Sequence, residues 1–203
     1  MNHELLYLII GAIAFITLIF IFWAIKTQRE QREKFERIGN SLGARYTKGT
    51  FLKHPKLEGE FSERLYELTF HTESQGRTSK TVLDLITPVA LFAGKMHIKK
   101  SGGFDKFLKK LNLSKPISSG DPFFDEKVEI RGEPEDKVLG AMNAAYFRES
   151  VKKILARGYT IKAEKARLIA SKDFAPAKDL DEIVLREDLN SLLELAKAIE
   201  KGR

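Results

Sequence analysis

The chain contains no cysteine. This absence excludes a disulfide-stapled scaffold, a thiolate metal site and a cysteine nucleophile. The sequence also lacks G-x-G-x-x-G, G-x-x-x-x-G-K-[ST] and H-E-x-x-H, the fingerprints of nucleotide-phosphate binding and zinc proteolysis. Its four histidines are scattered without metal-ligand spacing. We therefore expect no metal site, no cofactor and no catalytic motif.

Charge is absent from a long apolar stretch, Leu5 to Ile25. As a helix, these 21 residues reach about 32 Å, enough to cross a hydrocarbon core of about 30 Å. Tyr7 and Trp23 lie near the two ends, where amphipathic rings favour the headgroup level. A cleaved signal peptide is the alternative, but no Lys or Arg precedes the stretch and no A-x-A site follows it. We predict a retained transmembrane anchor at residues 1–26.

The charges that flank the anchor predict its orientation. Five cations follow it closely and none precedes it; they are Lys26, Arg29, Arg32, Lys34 and Arg37. Short cytoplasmic segments carry an excess of Lys and Arg, so the N-terminus is expected outside the cell membrane and the rest of the chain in the cytoplasm.

The remaining residues have the composition of one globular domain. Charged residues make up 31% of the chain and hydrophobic residues 43%. We predict a juxtamembrane helix or linker at 27–43 and a soluble domain at 44–203. The net charge of +7 suits a position beside an anionic leaflet and equally suits weak nucleic-acid binding.

Hydrophobic periodicity predicts an α+β fold with a mostly antiparallel sheet. Tyr66, Leu68 and Phe70 alternate as in a strand, and Pro88 should end the next one. Later segments have helical spacing, with apolar stripes at Phe147, Val151, Ile154 and Leu155 and at Leu189, Leu192, Leu193, Ala196 and Ile199. Because strands come first and helices with a late hairpin follow, a parallel α/β architecture is not expected.

Three segments were weighed as catalytic candidates. "GNSLG" around Ser41 matches the G-x-S-x-G nucleophile elbow, but a helix precedes it and a strand follows, the reverse of the required order. Ser150 begins an S-x-x-K match within a predicted helix, without the partner motifs of that serine class. Asp121 and Asp125 could serve acid/base chemistry or hold a hard cation. We favour a turn starter at Asp121, core anchors at Phe123 and Phe124, and a solvated Asp125.

A lysine-rich segment is the most informative part of the predicted domain. Residues 95–115 contain seven lysines and one acid. Phe104, Phe107, Leu108 and Leu111 face one way and Lys106, Lys109 and Lys110 another, the pattern of a basic amphipathic helix. Such a helix can lie on an anionic bilayer, while an ordinary surface helix of the domain explains the same pattern. The predicted contact residues are Lys99, Lys100, Lys106, Lys109 and Lys110.

Two segments carry a resemblance to a group of known proteins. They are "IGNSLGARYTKGTFLKHPKLEGEF" and "DPFFDEKVEIRGEPED". Their shared features are Leu42–Gly43, a P-x-L-x-G step from Pro55 to Gly59, and a strand-to-helix turn from Phe124 to Glu135. In these the chain resembles uncharacterised prokaryotic single-pass membrane proteins with a soluble α+β domain. The resemblance implies this architecture and no activity, cofactor or site.

The sequence thus favours a membrane-anchored, non-enzymatic domain that binds anionic lipid headgroups or a cytosolic protein partner. One alternative is a hydrolase-like or metal-dependent enzyme that uses Asp121, Asp125 and His97. Another is weak nucleic-acid binding through residues 95–115.

Overall fold

One long helix opens the chain. In the computed structural model, which describes residues 3–49, 54–76, 78–89, 92, 94–101 and 115–201, α1 runs unbroken over 39 residues, His3–Ser41. Its stretch Ile10–Ser41 is the one helical segment among the described residues that is long and apolar enough to cross a membrane. None of its most apolar window is buried in the protein. The predicted continuation of the apolar helix past Lys26 is confirmed.

Eight strands form one sheet in the order β1-β2-β3-β4-β8-β7-β5-β6. Every pairing between these described strands is antiparallel, as the sequence predicted for most of the sheet. The strands are β1 Arg45–Thr47, β2 Lys56–Phe61, β3 Arg64–Gln75, β4 Thr78–Pro88, β5 Lys95–Lys100, β6 Val128–Glu133, β7 Thr160–Glu164 and β8 Arg167–Asp173.

Five further helices accompany the sheet within the described residues. They are α2 Pro122–Lys127, α3 Glu135–Met142, α4 Phe147–Ala156, α5 Pro176–Asp179 and α6 Glu182–Lys201. The two predicted apolar stripes, on α4 and α6, are buried. Residues three and four apart lie on the same face of a helix. These faces of α4 and α6 are buried because they pack against each other and against the sheet. The α+β class is confirmed.

The core lies between these helices and one face of the sheet. Cross-strand register brings the alternate apolar residues of neighbouring strands onto that face, as with Leu57 beside Leu68 and Leu68 beside Leu85. All three side chains are at most 1% exposed. The predicted inward face of Tyr66, Leu68 and Phe70 is confirmed. On the opposite face the same strands carry mostly charged and polar side chains.

The segment predicted as a linker contributes to the core. Phe35 and Ile38 on the last turns of α1, and Leu42 just after it, are buried against the sheet. Phe35 packs on Phe70, with ring centroids 5.1 Å apart. The domain's core therefore begins within residues 27–43, and α1 enters it without an intervening loop.

Several local predictions differ from the structure. Phe123 is 81% exposed, so its prediction as a core anchor is wrong; α2 turns the neighbouring Phe124 inward instead. Pro134 is the N-cap of α3, and Glu135 is the first residue of the helix. Strand β2 was not predicted, because Gly59 interrupts its apolar alternation. The predicted helix of Phe104–Leu111 lies outside the described residues.

Candidate functional site

The direction of α1 relative to the sheet follows from two contacts. At its C-terminal end, the hydroxyl of Tyr66 donates to the Leu42 carbonyl oxygen at 3.4 Å. Two turns earlier, Phe35 meets Phe70, further along β3. Thus α1 and β3 run in opposite directions. The apolar half of α1 therefore leaves the domain on the side where the C-terminal end of β3 lies.

The β3–β4 hairpin reaches furthest in that direction. Pairing between β4 and β8 stops at Val82–Asp173, while β3 and β4 remain paired to Gln75–Thr78. At about 3.3 Å per residue, the first four residues of β4 (78–81) extend the hairpin by about 13 Å. We call this end of the sheet the anchor-side edge. Strand β5 also ends on this edge, at Lys100.

The predicted contact lysines have different environments. Lys100 is exposed and has no ion-pair partner within the described residues. Lys99 is 8% exposed, and its ammonium lies 3.2 Å from the Glu129 carboxylate across the β5–β6 pair. A buried ammonium beside a carboxylate cannot reach a lipid headgroup, so Lys99 has a structural role in the sheet. Lys106, Lys109 and Lys110 lie outside the described residues.

His97 lies on β5 two residues from Lys99, among charged side chains of the neighbouring strands. It stands opposite Arg131 on one neighbouring strand and Lys162 on the other. Burial lowers the pKa of His97, and the nearby ammonium groups of Lys99 and Lys162 lower it further. Burial alone would raise the pKa of Glu129, but the hydrogen bonds from Arg131 and Lys99 outweigh it and lower that pKa. Burial and the surrounding cations thus both favour the neutral form of His97.

The carboxylates of the proposed alternative site hold their own loop. Asp121 caps α2, accepting from the amides of Phe123 and Phe124 at 3.1 and 3.2 Å. Asp125 accepts from the Ser118 hydroxyl at 2.6 Å and the Ser119 amide at 3.0 Å. Burial would raise the pKa of Asp125, but these hydrogen bonds lower it overall.

The alternative site also lacks its third member. No described contact joins His97, in the middle of β5, to Asp121 or Asp125, and the described residues contain no group of three metal-ligating side chains. The two carboxylates accept hydrogen bonds from their own loop and from the start of α2, and so stabilise the conformation of the loop.

The two serine motifs also have local explanations. The Ser41 hydroxyl donates to the Ile38 carbonyl at 2.9 Å, at the end of α1, so Ser41 is not on a strand-to-helix elbow. Ser150 lies inside α4, as the sequence predicted.

A serine, an aspartate and a histidine meet on the polar face of the sheet, a cluster that the sequence analysis missed. Asp84 accepts from Ser171 at 2.6 Å and lies 2.6 Å from Nδ1 of His71. A catalytic triad needs the histidine between the serine and the acid. Here the acid is in the middle, so the serine donates to the carboxylate and not to the imidazole, and the arrangement cross-links three strands. These residues meet only through the register of the three strands, which cannot be read from a single sequence.

A second missed cluster is a buried ionic network beneath α6. The Lys172 ammonium lies 2.9 Å from Asp179 and 3.3 Å from Asp188, and all three side chains are at most 8% exposed. The Tyr159 hydroxyl donates to Asp188 at 2.8 Å. The cluster ties β8 to α5, to α6 and to the start of β7. The alternating pattern of β8 predicts an apolar residue at position 172. The lysine found there was the signal in the sequence for a buried ion pair.

Comparison with known proteins found no matching family model, no matching curated protein and no matching solved structure. The resemblance to single-pass membrane proteins stays a prediction, and the case for function depends on geometry.

Proposed function

We propose that the chain is a membrane-tethered, non-enzymatic interaction domain that projects from the bilayer into the cytoplasm. One observation carries the proposal: a single unbroken helix has an apolar half whose described side chains are exposed, while Phe35 and Ile38 near its C-terminal end are buried. Phe15, Phe20, Phe22 and Trp23 are each 64–72% exposed. Such a row is unfavourable in water and favourable in hydrocarbon.

The docking of α1 sets the pose of the domain. Because Phe35 and Ile38 are buried on the sheet, the direction in which α1 leaves the domain is set by this packing. The anchor-side edge then faces the bilayer, with the β3–β4 hairpin nearest to it. Neighbouring strands rotate by about 20–25°, so the end of β5 lies further around the same edge.

The proposed contact with lipid uses Lys100 together with Lys106, Lys109 and Lys110. Each lysine near an anionic leaflet adds about 1 kcal/mol of attraction. Since the anchor already holds the domain at the surface, this attraction would fix its orientation rather than recruit it.

Sidedness is tested first, using the lack of native cysteine. Asn190→Cys places a thiol on the exposed surface of α6, and Asn2→Cys places one on the other side of the anchor. With a membrane-impermeant maleimide and intact cells, only Asn2→Cys should react, and Asn190→Cys should react after lysis. The reverse pattern would contradict a cytoplasmic domain.

Lipid contact is tested with the full chain in nanodiscs. An environment-sensitive fluorophore on Ser101→Cys, beside Lys100, should change its emission when 30% anionic lipid replaces zwitterionic lipid. The attraction that moves the fluorophore toward the lipid is about 1 kcal/mol per lysine. Replacing Lys100, Lys106, Lys109 and Lys110 with Glu should abolish the change. The matched control reverses four exposed lysines elsewhere: Lys137, Lys152, Lys165 and Lys178. Equal emission in both kinds of disc would refute the lipid contact.

A further inference from the structure

The hairpin of β3 and β4 runs alongside α1 toward the apolar half of that helix. Two contacts align the two elements: Leu42 meets Tyr66, and Phe35 meets Phe70. Between these contacts α1 rises about 10 Å, and β3 advances about 13 Å. Because the two lengths are similar, the axes of α1 and β3 are nearly antiparallel, and positions along them can be compared.

The end of the hairpin lies at the height where the apolar run of α1 ends. From Phe35 to Ile25, α1 rises about 15 Å toward the membrane. From Phe70 to Gln75, the last residue of β3, the strand advances about 17 Å in the same direction. The last paired residues of the hairpin are therefore level with Ile25, the last residue of the apolar run.

The exposure of α1 agrees with this alignment. Gln31 and Thr27 continue the line of Phe35 toward the membrane in steps of four residues, and both are half-buried. Thr17, the same residue type as Thr27 but in the apolar half of the helix, is exposed, so the helix itself does not account for the cover at Thr27. The domain thus lies against one face of α1 almost to the end of the apolar run.

The composition of this part of the hairpin suits a polar layer. We call residues 74–76 and 78–79 the hairpin tip. Residues 71–81 contain no apolar residue. Ser74 and Ser79 stand opposite each other in the register, are exposed, and their hydroxyls have no hydrogen-bond partner within the described part of the chain. The charges beside them, Glu73 and Lys80, pair with each other at 3.4 Å.

We propose that the hairpin tip rests in the headgroup layer of the bilayer, where Ser74 and Ser79 donate hydrogen bonds to lipid phosphate oxygens. This inference rests on the membrane tether proposed above. Because the tip is uncharged at these two residues, the contact forms with zwitterionic and anionic lipids alike, unlike the contact proposed for Lys100. A helix alone leaves the domain free to rotate about the helix axis, and a second contact to one side of it fixes the face that the sheet turns to the membrane.

The test uses the full chain in nanodiscs of zwitterionic lipid, with a fluorophore on single cysteines and a nitroxide quencher on the lipid headgroup. Fluorescence should be lost at Ser79→Cys, in the tip. Ser62→Cys is the matched control, since Ser62 is exposed in the turn at the other end of β3, about 40 Å from the tip. It should keep its fluorescence. Lys26→Cys, just past the apolar run, should be quenched wherever α1 spans the disc.

The three labels separate this inference from the tether. Quenching at Lys26→Cys but none at Ser79→Cys would refute the tip contact and leave the tether intact. No quenching at Lys26→Cys would refute the tether, and the tip contact with it. Stronger quenching at Ser79→Cys by a nitroxide on the acyl chain than on the headgroup would overturn a contact in the headgroup layer.

A charge at the tip tests the donated hydrogen bonds. Ser74→Glu should lower the headgroup quenching at Ser79→Cys by about twofold or more, because its carboxylate is repelled by the phosphates. Ser62→Glu, the same change at the other end of β3, should leave this quenching unaltered. Equal quenching in the two variants would contradict a phosphate contact at Ser74.

Discussion

Gly39 of α1 lies directly against Leu57 of β2. A β-carbon on Gly39 would sit 2.5 Å from a methyl carbon of Leu57, which is itself completely buried. The absence of a side chain at Gly39 therefore lets the helix approach the sheet closely enough for Phe35 and Ile38 to reach the core.

Replacing Gly39 with Leu should undock the end of α1. Overpacking typically costs about 1–3 kcal/mol, more than the roughly 1 kcal/mol gained by removing glycine from a helix. Chemical denaturation of the chain in detergent should show a net loss of stability. The control is Gly11→Leu, because a β-carbon on Gly11 meets no atom within 4 Å. Equal stability of the two variants would mean that α1 is not held at this contact.

Replacing Lys172 with Met should strongly destabilise the domain. The change leaves the buried carboxylate of Asp179 without its cation and leaves Asp188 with Arg157 alone, 3.6 Å away; breaking a buried pair in this way costs about 3–5 kcal/mol. Lys162→Met removes the cation of a more exposed pair with Glu164 and should cost under about 1 kcal/mol. Urea denaturation compares the two. Similar losses of unfolding free energy in the two variants would contradict a larger contribution from the buried network.

Tyr159→Phe should make the domain less sensitive to alkali. Burial raises the pKa of Tyr159 far above its ordinary value, as do the adjacent charge and hydrogen bond of Asp188. The stability from the neutral phenol is complete below the unfolded pKa of 10.0 and declines as pH rises above it, because only the unfolded tyrosine ionises there.

Thermal melting between pH 8 and 11 measures the effect of this substitution. Losing the hydrogen bond should cost about 1 kcal/mol at neutral pH, with a shallower decline above pH 10. Tyr146→Phe, at an exposed position, is the control and should keep the wild-type profile. An unaltered decline in Tyr159→Phe would contradict the assignment.

His97→Gln should remove part of the domain's sensitivity to mild acid. The pKa of folded His97 is lowered from 6.5, mainly by burial and then by Lys99 and Lys162, while Glu129 opposes and Arg131 adds to the effect. As pH falls below about 6.5 the unfolded state takes up a proton that the folded state resists, so stability declines. Melting between pH 7.5 and 5 should show a smaller decline in the variant. His54→Gln, at an exposed site, is the control.

Ser150→Ala should stabilise the domain. Removing a buried hydroxyl that has no partner recovers its desolvation cost, about 1 kcal/mol or more. Ser191→Ala, on α6, removes a hydroxyl that already donates to the Glu187 carbonyl at 3.0 Å and should gain nothing. A loss of stability in Ser150→Ala would mean that the hydroxyl is satisfied within the folded protein.

Local patterns predicted most of the fold. Alternation placed Tyr66 and Leu68 inward because a strand's side chains point to opposite faces, and spacing placed Leu189 and Leu193 in the core for the equivalent helical reason. Phe123 and Phe124 could not be separated in this way, because α2 is too short to show a period. Only the cap at Asp121 fixes which ring turns inward.

The candidate sites were much less predictable. Ser150 looks ordinary in sequence, and only the packing of α4 leaves its hydroxyl buried without a hydrogen-bond partner. Asp84 and Ser171 are 87 residues apart in the chain and meet through strand pairing. Lys99 was predicted by its charge, but its partner Glu129 depends on the β5–β6 register.

The unbroken course of α1 gives the chain a lever. From Ile25, at the end of the apolar run, to Ser41, in the domain, the helix rises about 24 Å. An anchor that tilts by about 20° to match a thinner bilayer would carry the domain sideways by about 8 Å. With no joint between its two halves, α1 would convert a change in the tilt of its apolar half into a change in the height and angle of the domain.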